Sequence, residues 1–336
     1  MDERDARRPT MADVAKHVGV SRALVSLVFR NKEGASPQTR ERVFQAAAEL
    51  GYRPDTAAQL LRSRRSRLLG ALYIPIEPYH ADMIDALYPV ADKSGYDVVL
   101  GAVTRTRDVA KATEELLGLR CEAVLLLGVE TTSAQLTALA AQVPLVVIGA
   151  HQHGPRFDTV RSDDTRGARE AVDHLVALGH RRIVHIDGGH GPAAADRRRG
   201  YRSAMRKHGL AESIRVIPGD YTEESGALAA QELFRFDAVP TAVFAANDRC
   251  AVGLVHALRR MGVTVPGDIS VVGFDGSRAA ELPHIDLTTV RQDIPGTVEA
   301  AIDTALERLD EERTEAKQVV LKTRLIVRST TAPPAA

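Results

Sequence analysis

Residues 10–26 read TMADVAKHVGVSRALVS. Met11, Val14, Ala15 and Val18 fall at i, i+3, i+4 and i+7, which is one apolar face of a helix. Thr10 precedes that face and Asp13 stands three residues on, the spacing of a capping box. Gly19 ends the helix, since a tight turn needs a backbone with positive φ. Ser21 caps a second helix, whose Leu24, Val25 and Val28 can face the first. Ser36 caps a third, with Pro37 at its first position, where a missing N–H costs nothing. Val43, Ala47 and Leu50 give that helix an inner face, and Gly51 suits the left-handed position beyond its end. Small Ala15, then Gly19, then Val25 fit two helices crossing closely over a short turn. The spacing predicts a helix-turn-helix with Ser21–Phe29 as the recognition helix for a DNA major groove. The plainer reading is a helical hairpin of some other domain.

Charge favours the first reading. Residues 1–67 hold 14 Lys+Arg against 8 Asp+Glu, while the rest holds 30 against 36, so a basic module precedes an acidic body. That asymmetry is a footprint of polyanion binding. Composition is otherwise ordinary for a globular protein, 44% hydrophobic and 26% charged, and 336 residues suit two or three domains. Cys121 and Cys250 are the only cysteines and neither sits in a CxxC, so no disulfide framework or cysteine metal site is expected and a reducing compartment fits. Met1–Pro9 is charged without an apolar run, which predicts no signal peptide. Apolar runs such as Ala123–Gly128 fall far short of the roughly 18 residues of a spanning helix. A cytoplasmic protein, nucleoid-associated if it reads DNA, is expected.

The stretch Thr10–Gly70 resembles the LacI/GalR family of bacterial repressors, through TMADVAKHVGVSRALVS, SPQTRERV (36–43), ELGYRP (49–54) and AAQLLRSRRSRLLG (57–70). The resemblance implies that Thr10, Ser21 and Thr39 hold phosphates and that Arg22, Ala23, Ser26 and Leu27 face base edges. Arg22 can pair bidentately with guanine and Ala23 can meet a thymine methyl. Many relatives carry a polar residue where this chain has Leu27, so operator sequences of other members do not transfer. In the linker, Pro54 and Asp55 can start a short helix that is marginal alone. The resemblance implies that it folds in the minor groove with Leu61 as a wedge in the central base step and Ala58 beside it. Without the resemblance, the same residues read as a basic tether.

From Leu68 strand-like runs alternate with helical patterns, among them Leu69–Ile74, Tyr96–Ala102, Ala123–Gly128, Ile183–Ile186, Thr241–Ala245 and Ile269–Phe274. Alternation of this kind predicts parallel sheets covered by helices, in more chain than one sheet needs. The expected fold is therefore a small all-α headpiece followed by an α/β sensor of two lobes, and the resemblance implies that the sensor has the fold of periplasmic sugar-binding proteins. The expected boundaries are a headpiece at 8–52, a hinge at 53–67, an effector domain at 68–330 and a tail at 331–336. The resemblance implies that the chain crosses between lobes near Asp163, Arg291 and Thr323, giving an N-lobe of 68–162 plus 292–322 and a C-lobe of 163–291 plus 323–330.

Ligands of open α/β sheets sit beyond the carboxyl ends of strands. Asn247 ends TAVFAAN, Asp275 ends ISVVGFD, Asp163 ends DTVRSD, and Arg197 opens the helix after IVHIDGG. Such residues can hold sugar hydroxyls, and the resemblance places Arg197, Asn247 and Asp275 on the effector. Tyr221 matches a position where relatives stack an aromatic ring, while Tyr79, His80 and Asp82 could line the N-lobe side. Each has a plainer reading: Asn247 as a helix cap, Asp275 as a turn cap. The expected partners are palindromic double-stranded DNA, a small-molecule effector and a second copy of the chain, with no membrane, cofactor or metal.

Two rival classes fit parts of the sequence. Gly189-His-Gly191-Pro-Ala-Ala194 matches GxGxxA of a nucleotide-dependent enzyme, but it lies mid-chain with no acidic strand end at the right distance. A free solute-binding protein would share the sensor fold but ignore DNA. His151 and His153 at i, i+2 suggest no third metal ligand, and no nucleophile-elbow motif occurs. No catalytic residues are assigned.

Overall fold

The computed structural model describes residues 9–29, 32–53, 65–152, 154–310 and 313–335, in two units, 1–66 and 67–336. In the first unit, helices α1 (Met11–Val18), α2 (Arg22–Phe29) and α3 (Pro37–Leu50) enclose a small core of Val14, Ala15, Val18, Val25, Val28, Val43, Ala46 and Ala47. The Asp13 carboxylate accepts from the Thr10 N–H at 2.7 Å and the Thr10 hydroxyl at 2.6 Å, closing the start of α1. Gly19 ends α1 at φ 76°, and its N–H returns to the Ala15 carbonyl. Ser21 Oγ accepts from the Leu24 N–H and Ser36 Oγ from the Thr39 N–H, so each later helix is capped by the serine the sequence supplies.

The second unit holds two six-stranded sheets. The first is built from β1 (Leu68–Tyr73), β2 (Asp97–Ala102), β3 (Ala123–Leu127), β4 (Leu145–Ile148), β5 (Asp158–Ser162) and β11 (Gln318–Leu321), in the order β11-β5-β4-β3-β1-β2, all parallel. The second is built from β6 (Ile183–Ile186), β7 (Arg215–Ile217), β8 (Ala242–Ala245), β9 (Ser270–Asp275), β10 (Thr288–Arg291) and β12 (Arg324–Ile326), in the order β12-β10-β9-β8-β6-β7. Only β12 runs antiparallel, against β10. Between the strands lie α4 (Pro78–Lys93), α5 (Val109–Gly118), α6 (Ser133–Ala140), α7 (Asp164–Ala177), α8 (Ala194–Lys207), α9 (Glu223–Leu233), α10 (Asp248–Arg260) and α11 (Ile294–Asp310).

Strands buried on both faces read as continuous apolar runs, as in AVLLL of β3 and LVVI of β4, each buried throughout. Burial of such runs on both faces of two separate sheets gives four apolar clusters, one on each face of each sheet. The chain passes between sheets three times, after Ser162, after Arg291 and after Leu321. All four strands next to these crossings (β5, β10, β11, β12) lie at or beside one edge of their sheets. The residues expected to trail off as a tail are anchored: the Ala332 carbonyl lies 2.9 Å from His180 Nε2, and Thr331 lies 3.0 Å from His174 Nε2. Cys121 and Cys250 are both free and buried. No helix among the described residues is long and apolar enough to cross a membrane.

Candidate functional site

Three helix N-termini of the first unit carry Thr10, Ser21 and, one turn in, Thr39. A helix start offers free N–H groups and a positive dipole end to an anion, which suits phosphate. Arg22 and Ala23 are exposed on α2, and Ser26 and Leu27 are half-buried. The Leu27 methyls lie against Gly34, where an added Cβ would stand 3.1 Å from Cδ1. Thr39 Oγ1 sits 2.8 Å from Ser36 Oγ. Ala58 and Leu61 lie outside the described residues.

In the second unit a cleft of about 220 Å³ opens between the lobes. Its walls include Tyr79 and His80 from the first lobe and Arg197, Tyr221, Asn247 and Asp275 from the second. Arg197 is its centre and is buried. The Arg197 Nε donates to Asp164 Oδ1 at 2.9 Å, Nη1 donates to the Ala246 carbonyl, and Nη1 stands 3.3 Å from Asp275 Oδ1. Its guanidinium lies 3.8 Å over the Phe274 ring and 5.7 Å from the Tyr221 ring. Burial works against its charge, but Tyr221, Asp164 and Asp275 outweigh it, so Arg197 stays charged.

One guanidinium serves two buried carboxylates. Burial therefore raises the Asp275 carboxyl above its usual range, against the pull of Arg197 and with a further push from Asp248. Asp164 is raised likewise by burial, opposed by Arg197. Asp275 also accepts from Gln292 Nε2 at 2.8 Å, and Gln292 Oε1 accepts from Ser162 Oγ at 2.7 Å. A hydrogen-bonded path thus runs from the cleft into two of the three crossings. Asp275 sits at φ 120°, a backbone that favours glycine. The turn is held by Asp248, whose carboxylate accepts from the Ser277 N–H at 2.7 Å and the Ser277 hydroxyl at 2.8 Å.

Asn247 lines the cleft and also accepts the Cys250 N–H at 2.8 Å, which is the plainer reading of it as the cap of α10. Tyr221 donates to the Pro192 carbonyl at 2.7 Å. Its ring occupies the space that side chains at Gly188 and Gly191 would need. The tyrosine therefore accounts for Gly188 and Gly191, while a side chain at Gly189 would meet the Gly219 carbonyl, so packing explains these glycines. His80 is packed under Gly128, and burial lowers its pKa to about 4, so the ring is neutral. Tyr79 lines the cleft, its hydroxyl raised by burial and by Asp275.

Two anticipated residues stand elsewhere. Asp163 is not in the cleft wall; its side chain accepts the Arg166 N–H at 3.1 Å and caps α7, while its neighbour Asp164 reaches Arg197. Asp82 pairs with Arg278 at 2.9 Å. Sequence reading passed over Glu77 and Glu130, which line the cleft from loops a few residues beyond their strands, Gln292, which directly follows β10, and Asp164, which was hidden by the choice of its neighbour. His151 lies 3.2 Å from Asp196, and among the described residues no group of three or more His, Cys, Asp or Glu is placed to hold a metal.

The sequence profile described as "Bacterial regulatory proteins, lacI family" matches residues 10–55, and that of a "Periplasmic binding protein-like domain" matches residues 172–331. A LacI transcriptional regulator from a Rhodococcus species is 44% identical, covering 80% of this chain and 100% of its own, with a TM-score of 0.78. The chain belongs to the LacI family. Two solved structures match almost all of this LacI-family protein. The lac repressor dimer bound to operator and the anti-inducer ONPF is 28% identical over 97% of this chain and 100% of its own, with a TM-score of 0.82. A transcriptional regulator CelR–cellobiose complex is 31% identical over 96% of this chain and 100% of its own, with a TM-score of 0.71. The LacI-family chain is a DNA-binding transcriptional regulator with a small-molecule-sensing domain, and not an enzyme.

Proposed function

We propose that the chain is a repressor that reads a palindromic operator as a homodimer and loses or gains operator affinity when a sugar or sugar derivative enters the cleft. The observation that carries the ligand half is convergence: Asn247 just beyond β8, Asp275 at the end of β9 and Arg197 in the first turn of α8 meet Tyr79 and His80 from the other lobe. Fixed donors and acceptors with a ring on one side suit a polyol better than an apolar or flat ligand. A relative bound to cellobiose supports the same class. Thr10, Ser21 and Thr39 would hold phosphates at helix starts, and Arg22, Ala23, Ser26 and Leu27 would face bases.

Residues 8–52 form the headpiece in this reading and 53–67 the hinge, with Leu61 and Ala58 entering the minor groove. Residues 68–330 form the sensor, and the protein works in the cytoplasm on the nucleoid. The test pairs a thermal-shift screen of metabolites with operator titration, because a ligand stabilises the state it binds. A metabolite that both raises the melting temperature and changes operator affinity supports the reading. A protein that shifts no genomic fragment, with or without metabolites, overturns it.

A further inference from the structure

Among the described residues, three arginine–carboxylate ion pairs and one histidine–carboxylate contact join the two lobes, and none of them belongs to a crossing. Glu77, just ahead of α4, meets Arg249 of α10 at 3.0 Å, and Arg249 also meets Glu223 at 2.5 Å. Asp82 and Asp85, three apart on α4, both meet Arg278, which follows β9, at 2.9 Å and 2.5 Å. His151, in the loop after β4, meets Asp196 of α8 at 3.2 Å. The three ion pairs therefore converge on the start of one helix, Glu77 at its cap and Asp82 and Asp85 in its first two turns. The Glu77 pair is half-buried beside the cleft, and the Arg278 pairs are on the surface, with Arg278 73% and Asp85 70% exposed.

We propose that Arg278 with Asp82 and Asp85, backed by Glu77 with Arg249, is a charge clamp that sets how far the cleft is closed, making Arg278 a positioning residue for the ligand that never touches it. The crossings sit at one edge of both sheets, so the lobes are tethered there and can part elsewhere. Parting moves α4 away from α10 and from Arg278, and every one of these pairs must break. A ligand held by both walls binds the closed cleft, so a bias toward closure is a bias in affinity. An exposed pair contributes little alone, but Arg278 faces two carboxylates, and the three pairs act on the same motion. The clamp is also exposed enough to be screened by salt, over a Debye length of about 8 Å at physiological ionic strength.

The clamp rests on the cleft reading only for its effect on ligand, and lobe spacing can be read with no ligand added, so the two can fail separately. Spin labels on cysteines placed at Ser133 and Glu224, exposed positions in the first turns of α6 and α9, report the distance across the cleft. The native cysteines are buried and stay unlabelled. Pulsed-EPR distances are taken on the full chain, mixed with excess unlabelled chain so that each pair sits in one protomer. Raising salt from low to about 1 M should move the open-to-closed ratio about threefold to tenfold. R278E should do so at low salt, and reversing both partners with it (D82R/D85R/R278E) should restore the wild-type distribution. Identical distributions for wild type and R278E, or a triple variant as open as R278E, overturn the clamp. If R278E melts early, R278Q and the salt series on wild type carry the same decision: a salt-insensitive wild type overturns it.

Discussion

Replacing Asp275 by alanine separates what this residue does for the fold from what it does for the ligand. The side chain is buried and has two neighbours to lose. Gln292 Nε2, 2.8 Å away, becomes a buried donor without a partner, at a cost of about 1–3 kcal/mol. Arg197 loses a carboxylate at 3.3 Å but keeps Asp164 and the Ala246 carbonyl. Its loss therefore falls below the roughly 3–5 kcal/mol of stripping a buried ion of its sole partner, at about 1–2 kcal/mol. Relief of repulsion from Asp164 and Asp248 returns part of this. The net is about 2–4 kcal/mol, or a fall in melting temperature on the order of 5–15 °C for a unit this size. Sequence alone suggests a variant that binds operator normally and ignores effector; the bonds to Gln292 and Arg197 add a destabilised sensor.

Asparagine is the discriminating partner. It keeps an oxygen for Gln292 and loses only the charge, so its stability should stay within about 1 kcal/mol of wild type. Both variants should lose effector response, asparagine by at least about tenfold in effector affinity, near 1.4 kcal/mol. The assay is differential scanning fluorimetry together with operator titration with and without saturating effector. An alanine variant melting within about 2 °C of wild type would show that the Gln292 bond is absent in solution. A fully responsive asparagine variant would remove Asp275 from the ligand site.

Arg22→Ala should cost about 1–3 kcal/mol at one base pair of each operator half-site, read by titrating single-base operator variants; a uniform loss over all sequences would make Arg22 a phosphate contact instead. Leu61→Ala should reduce DNA bending in a fluorescence-distance assay while leaving the sensor's melting temperature unchanged. His80 and His185 are both lowered to about 4 by burial, so the unfolded chain takes up protons that the folded one refuses. Their share of stability is whole above about pH 6.5 and falls at about 1.4 kcal/mol per pH unit for each as pH drops toward 4. The raised carboxylates push the other way, so the quantity to read is the slope difference between wild type and His185→Phe by urea denaturation; equal slopes would mean that His185 titrates normally.

The headpiece was legible because its signals are local. A capping box, a turn glycine and a serine cap each act within four residues, and Thr10–Asp13, Gly19 and Ser21 do in the fold what their spacing announces. The sheets were legible where strands are buried on both faces, as in β3 and β4. Short β7, with the burial of an edge strand, and β11, half-exposed, carry no such run and were missed. In the cleft, strand ends pointed to Asn247 and Asp275. Choosing between Asp163 and Asp164 needs the direction of the first turn of α7, which adjacent identical residues cannot reveal. Gln292 was invisible for another reason: its role exists only because two crossings, 130 residues apart in sequence, lie side by side.

The interleaving of the two lobes has a consequence for how the protein is made. β5 ends at Ser162, yet its outer neighbour β11 begins at Gln318. At about 5–20 residues per second, a ribosome spends roughly 10–30 s between them. Throughout that interval the second sheet can assemble all but β12, while the first lacks α11 and keeps β5 as an open parallel edge. Such edges recruit strands from other chains. Neighbouring nascent chains on one message would each offer that edge before either could cover it. Slowing translation between residues 163 and 317 should therefore raise the yield of strand-exchanged oligomers, visible by size-exclusion chromatography; an unchanged oligomer profile would show that the edge is sheltered while it waits.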